Sequence, residues 1–257
     1  MEWDAPAVVL AARPYSEAAA LVTVLTEAHG AQRTLARGGA SRAQASLWQP
    51  GNLVQARWVA RVADGLGSLT GELVHAPAAL AMDDPLALAI LTSACAVAEG
   101  ALPEREPHPL VFRGLVQLIG QLSRGADALT DLVRWEATLL TELGYGLDLS
   151  RCAVTGAESG LAFVSPRTGR AVAGDAAGEW RSRLLPLPGF LAGANTAGPA
   201  DWRDGLRLTG HFLERDAFGH QHKPLPPARH RLADQVAALG GGSSSVTGTA
   251  GSISTFG

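Results

Sequence analysis

Lysine is almost missing from this 257-residue chain: Lys223 is the only one among 21 basic residues. Basic contacts must therefore come from arginine, whose planar fork grips carboxylates and phosphates rather than acting as a point charge. Alanine is abundant, and together with the missing lysines this is also what a GC-rich genome writes, so arginine content alone assigns nothing. Cysteine is limited to Cys95 and Cys152, too few for a disulfide framework, which points to a reducing cytoplasm. The apolar stretch 86–98 is too short to span a bilayer and predicts a buried helix instead. Residues 1–12 lack the charged start and continuous apolar core of a secretory leader. No strong net charge is present either: −3 in total, so any affinity for a polyanion requires a local patch. The P-loop, the G-x-S-x-G elbow, the dinucleotide fingerprint and H-E-x-x-H are all absent, which lowers the prior for an enzyme. Gly65-Leu-Gly67 is too short a glycine signal to cradle phosphate.

One absence is local. From 28 to 63 there is no Asp or Glu, while the same interval holds Arg33, Arg37, Arg42, Arg57 and Arg61. Arg37 and Arg42 flank a Gly-Gly-Ala-Ser loop, and Trp48 and Trp58 are available as flat surfaces for a base. These residues lie among short β-rich runs at 7–13, 20–27, 31–37, 51–63 and 68–75. In the fourth run Leu53, Gln55, Arg57, Val59 and Arg61 alternate with Val54, Ala56, Trp58, Ala60 and Val62. Five strands in about eighty residues predict a small closed barrel, a shape that commonly binds oligonucleotides.

The pattern changes after Ala76-Pro77. Asp84-Pro85 is a helix start, and 86–98 reads as the apolar centre of a bundle with Cys95 as a core thiol. Pro107 and Pro109 open a second helix, with Val111, Leu115, Leu118, Ile119 and Leu122 on one face. A third spans 126–143, its stripe of Leu129, Leu132, Val133, Leu139, Leu140 and Leu143 interrupted only by Glu136. It stops at Gly144-Tyr145-Gly146. A hairpin is expected from 162–164 and 170–172, a helix from Asp201 through Arg215, and a last helix near 228–239. Residues 239–257, rich in Gly, Ser and Thr, predict a disordered tail.

Cys152-Ala-Val-Thr155-Gly156 sits where a metal knuckle would be expected, but Cys152 is the only sulfur there and a structural site wants two close pairs of Cys or His. No metal is expected. The other ligand-type cluster is His211, His220, His222 and His230, without an acidic base in metalloenzyme spacing.

The chain resembles the RecO family of bacterial DNA-repair proteins. The resemblance runs from about residue 7 to 235: Val9 to Glu17 with Arg13, Leu21 to Glu27 followed by His29-Gly30, Leu35-Ala-Arg37-Gly38, Leu47-Trp-Gln-Pro50, Leu69-Thr70 and Glu72. In the second half it takes in Arg134-Trp-Glu136, Leu139-Leu140-x-x-Leu143-Gly-Tyr-Gly, Asp148-Leu-x-x-Cys152 and Ser165-Pro-Arg-Thr-Gly169. It implies an α+β chain: an N-terminal OB-fold β-barrel (1–78), then a helical-bundle domain (79–238) with a degenerate zinc-knuckle-like segment at 147–180. It further implies a bacterial cytoplasmic, nucleoid-associated mediator of repair and recombination with no covalent chemistry and no cofactor. Such a protein binds single- and double-stranded DNA and anneals complementary strands. With RecR it helps load RecA onto DNA coated by single-stranded DNA-binding protein, whose acidic C-terminal tail it also binds. On this reading Arg13, Arg33, Arg37, Arg42, Arg57 and Arg61 contact DNA along one side of the barrel. Arg134, beside an apolar cleft, and secondarily Arg113 hold the tail. The competing expectations are a histidine-metal hydrolase at 211–230 and a scaffold whose arginines meet acidic protein surfaces only.

Overall fold

The computed structural model describes residues 1–39, 41–62 and 65–241. Its first half is a closed five-stranded barrel of order β1-β2-β3-β5-β4, built from β1 (Glu2–Pro14), β2 (Ala19–Thr26), β3 (Gly30–Arg37), β4 (Leu53–Val59) and β5 (Ser68–His75). All neighbours are antiparallel except β3 and β5, which run parallel through Leu35–Ser68 and Ala36–Leu69. Closure leaves no free strand edge. This is the α+β architecture expected, an OB-fold barrel followed by helices.

Two strands differ from expectation in extent. β1 begins at Glu2 rather than at residue 7, because Glu2 to Val8 pair along β4; Pro6 and the acidic residues 2 and 4 disguise the extension in the sequence. β4 ends at Val59 rather than at residue 63, so Arg61 lies beyond the ladder. The chain turns there because the Trp58 indole donates to the Leu66 carbonyl at 3.0 Å. Gly67 fits that turn: its φ is +65°, and a Cβ would lie 2.3 Å from the indole nitrogen.

The alternation along the strands sorts the residues into two surfaces. Ala7, Val9, Val22, Val24, Ala36, Val54, Ala56, Trp58 and Leu69 fill the barrel. Val8, Leu10 and Leu25 point outward yet are buried, because helices cover that side.

After short turns α1 (Arg42–Ala45) and α2 (Pro77–Leu80) come α3 (Pro85–Ala101), α4 (Pro109–Gln121) and α5 (Ala128–Glu142). Asp84 caps α3, its carboxylate accepting from the Leu86 and Ala87 amides at 2.9 and 3.0 Å. α3 is apolar nearly all round because it lies between the barrel and the bundle, in one core with Val8 and Leu10 on one side and Leu132 and Leu232 on the other. Cys95 donates weakly to the Val9 carbonyl, and burial pushes its thiol up to about 12. Beyond α5, β6 (Leu161–Val164) and β7 (Ala171–Ala173) form the expected hairpin, to which β8 (Leu185–Pro186) adds an unforeseen third strand. α6 (Pro199–Phe212) passes into a π-helical turn over Leu213–Phe218, and α7 (Pro227–Gly241) closes the bundle. Leu239 to Gly241, expected to be tail, complete α7; residues 242–257 lie outside the described residues.

Candidate nucleic-acid interface

The arginines of the acid-free interval do not form one track. Alternation turns Arg33 and Arg37 outward on β3 and Arg57 outward on β4. Arg57 stands opposite Asp4 on one side and Thr70 on the other. One step past the Ala36–Leu69 pair, β3 carries Arg37 beside Thr70. Arg37 and Arg57 therefore flank β5 on the uncovered face of the barrel. Arg61 is exposed past the end of β4. Arg42 lies on α1; its side chain is outside what the structure describes.

Arg13 and Arg33 go elsewhere. They line a cleft of about 380 Å³ between barrel and helices, together with Glu99, Glu104 and Lys223. Arg13 pairs with Glu99 at 3.0 Å and Arg33 with Glu104 at 3.3 Å. On the open face Arg57 pairs with Glu2 at 3.1 Å. An interval free of acid in sequence is thus not free of acid in space. The ladder sets β1, with Glu2 and Asp4, beside β4, and the turn after α3 delivers Glu104. Among the described residues neither Arg37 nor Arg61 has an ion-pair partner.

The tryptophans offered as base platforms are core residues: Trp48 is 2% and Trp58 4% exposed. The aromatic surface is instead Trp3, on the part of β1 that sequence reasoning did not extend to. Its ring lies 5.2 Å from His29 and 6.1 Å from Trp58, within 13° and 19° of parallel. Trp3, His29, Trp58, Gln32, Ala28, Glu2 and Arg105 line an open cleft of about 500 Å³ at this end of the barrel. The Trp3 indole donates to Gln32 Oε1 at 3.1 Å. Arg105 is held over the rim by its own amide, which donates to the Ala31 carbonyl at 2.7 Å, and by its guanidinium, which donates to the Gly65 carbonyl at 2.9 Å. No sequence signal pairs residue 3 with 29 or 105; the nearest is that His29 and Gln32 lie within the acid-free interval.

The two arginines expected to hold an acidic tail sit in opposite surroundings. Arg134 lies 5.7 Å from the Phe190 ring centroid and donates to the Phe190 carbonyl at 3.4 Å. The cleft beside it is not apolar as expected but polar, lined by Asp127, Asp131, Thr130, Asn195 and Thr196. Arg113 reaches from α4 to Glu27 at 2.5 Å. Beside that pair is an apolar cleft of about 470 Å³ lined by Pro6, Ala28, Pro107, Pro109 and Phe112.

The knuckle segment does not fit a zinc ion. Cys152 is the only sulfur in the segment; its Sγ accepts from the Ala173 amide at 3.2 Å and the Thr155 amide at 3.5 Å. These contacts, the Ala173 amide first and then the Thr155 hydroxyl and amide, bring the thiol down to about 7 against the opposing effect of burial. Nor do the histidines converge: His211 meets the Pro166 carbonyl and His220 stacks on Tyr145. Among the described residues no three His, Cys, Asp or Glu side chains are grouped to hold a metal.

The charge missed altogether by sequence reasoning is Arg229, 1% exposed. It donates to both oxygens of Glu136, at 2.6 and 3.0 Å, and to the Leu206 carbonyl at 2.8 Å. The Thr209 hydroxyl completes the set, donating to Glu136 at 2.5 Å.

Two family models match the chain: Recombination protein O N terminal over residues 1–77 and Recombination protein O C terminal over residues 82–226. Among curated proteins, DNA repair protein RecO of Granulibacter bethesdensis is 62% identical over 93% of this chain and 97% of its own length. The proteins of the same name from Gluconacetobacter diazotrophicus and Acidiphilium cryptum are 60% and 58% identical, covering 93% and 92% of this chain and 96% of each relative. No helix among the described residues is long and apolar enough to cross a membrane.

Proposed function

The chain belongs to the RecO family, and on that premise we propose that it is a non-catalytic mediator of DNA repair and homologous recombination in the bacterial cytoplasm, associated with the nucleoid. It binds single- and double-stranded DNA through the barrel, residues 1–78, and anneals complementary strands. With RecR it helps RecA load onto DNA coated by single-stranded DNA-binding protein, whose acidic tail docks on the helical domain, residues 79–238. The observation that carries the reading is the pair Arg37 and Arg57 flanking Thr70 on the uncovered barrel face, Arg37 without a carboxylate partner among the described residues. Arg13 and Arg33 form a second group in the barrel–helix cleft, with Lys223 beside them. Two separated cationic groups give each of two strands its own place, and the charge between them lowers the repulsion that opposes pairing.

Arg37→Ala tests this by salt titration. Each phosphate neutralised on a single strand contributes about 0.7 to the slope of log K against log salt. The variant therefore binds all sequences more weakly and flattens the slope by about that amount. An unchanged slope removes Arg37 from the interface. For the acidic tail, Arg113 is the better placed cation, because the cleft beside it is apolar with Glu27 as its one carboxylate, whereas the cleft at Arg134 is polar and lined by Asp127 and Asp131. Arg113→Glu abolishes tail-peptide binding and spares naked DNA; a selective loss in Arg134→Glu instead would return the tail to α5.

The ion pairs at Arg13 and Arg33 favour a second reading, a scaffold whose arginines meet only acidic protein. Free oligonucleotide separates the two: it competes with protein partners for a DNA binder and leaves a scaffold's complexes intact.

A further inference from the structure

We propose that the end of the barrel at Trp3 and His29 is a pocket for one unstacked nucleobase of single-stranded DNA, held against the two rings and read by the amide of Gln32. This rests on the DNA-binding reading above and assigns it a site that the arginines do not supply.

The amide orientation follows from the hydrogen bonds. An indole N–H can only donate, so the Gln32 atom that meets Trp3 at 3.1 Å must be the carbonyl oxygen. The amide nitrogen is therefore directed away from Trp3, and it has no hydrogen-bond partner among the described residues. Gln32 is only 3% exposed and lines the cleft. A nearly buried donor is thus left over at a flat aromatic surface, which suits the ring carbonyls of thymine, cytosine or guanine. Trp3 and His29 are both partly exposed and stack on each other, Trp3 also on Trp58, so the base adds to the outer face of this stack. The cleft, about 500 Å³, lies within the range of ligand sites. Glu2 lines it as well, and a carboxylate repels a phosphate, so the base enters and the backbone stays outside. The backbone has cations to follow: β4 carries Arg57 along the outer face to this rim, and Arg61 is exposed beyond its end. A base paired in a duplex has both faces and its pairing edge covered, so the pocket takes single strands only.

The test uses the full chain, a labelled oligo(dT) and a labelled duplex, each titrated across salt. His29→Ala weakens oligo(dT) binding about tenfold, the range of one lost base–aromatic stack. Duplex affinity and the salt slope stay where they were, and the melting temperature falls by no more than the few degrees of one lost ring contact. His29→Phe restores oligo(dT) binding and His29→Lys does not, because a ring and not a charge is required. Oligo(dT) also quenches indole emission, and Trp3→Phe removes that component. Unchanged oligo(dT) affinity in His29→Ala, equal loss on both DNAs, rescue by lysine but not phenylalanine, or quenching that survives Trp3→Phe would each overturn the pocket. If the unaltered protein binds neither DNA, the parent reading falls and the pocket with it. If it binds both and is indifferent to residue 29, only the pocket falls.

Discussion

The barrel and the helical bundle both hold arginine against carboxylate, and they do so to opposite ends. On the barrel, Arg13–Glu99, Arg33–Glu104 and Arg57–Glu2 lie at the surface, at 3.0–3.3 Å. Each is a single contact in water, contributing about 0–1 kcal/mol. In the bundle, Arg229 and Glu136 are 1% and 0% exposed and joined by two parallel bonds. The carbonyl of Leu206 and the hydroxyl of Thr209 use much of their remaining capacity. The same two side-chain types thus serve as an exchangeable contact in one place and as a fixed joint between α5, α6 and α7 in the other. Solvent access decides which: a phosphate can displace Glu99 or Glu104, and nothing can reach Glu136.

The largest effect that would sharpen this contrast comes from cutting the joint. Arg229→Ala leaves Glu136 charged and dry, and removing one partner of a buried pair costs about 3–5 kcal/mol. Chemical denaturation should show a loss of that size. At temperatures where the variant is still folded, oligonucleotide affinity should match the parent. Replacing both partners together, as Glu136→Leu with Arg229→Met, should recover most of the stability, since no unpaired charge remains. If Arg229→Ala lost less than 1 kcal/mol, or if it lost DNA binding while folded, the division between joint and contact would fail.

How much of this contrast was legible beforehand differs between its two sides. Glu136 announced itself as the one charge in an apolar helical stripe, which demands a buried partner. Its identity was not legible, because Arg229 lies 93 residues away on a helix whose sequence looks polar. On the barrel, period two correctly put Arg57 on the opposite face of β4 from Val54, Ala56 and Trp58. What failed was the step from strand to surface. Neighbours in the sheet come from other parts of the chain, so Glu2, Asp4 and Glu104 entered a surface that the interval 28–63 had promised to keep basic. The same extension of β1 brought Trp3 beside Trp58 and made the barrel-end cleft, which no local pattern encodes. Helix starts fared better, because Asp84-Pro85 carries its whole mechanism in adjacent residues.

A middle-sized effect would break or support the idea of exchange. Glu99→Gln and Glu104→Gln together free Arg13 and Arg33 without changing their reach. Folding stability should change by no more than about 1 kcal/mol per pair. Binding of single-stranded DNA should tighten several-fold, and the salt slope should steepen toward one further phosphate for each arginine released, about 0.7 apiece. Tightening without a change in slope would mean that the substitutions only reduced general repulsion. No tightening at all would make these pairs local joints like the one at Glu136, and the contrast would collapse.

A further effect concerns negative charge held by backbone donors with no cation involved, as at the Asp84 cap. Cys152 is 1% exposed and its sulfur accepts from the Ala173 and Thr155 amides. Those contacts lower its thiol from 9.0 to about 7. A group whose folded value is depressed stabilises the fold fully above its unfolded value and loses that contribution as pH falls through the folded one. The stability difference between the parent and Cys152→Ala should therefore be greatest above pH 9 and shrink as pH drops through about 7. Backbone dipoles at hydrogen-bond distance are screened far less by salt than surface ion pairs are. The pH profile of this difference should then hold at high salt, while the contribution of Arg33–Glu104 fades. A difference that stays flat with pH would show the sulfur to be a neutral thiol that packs the turn.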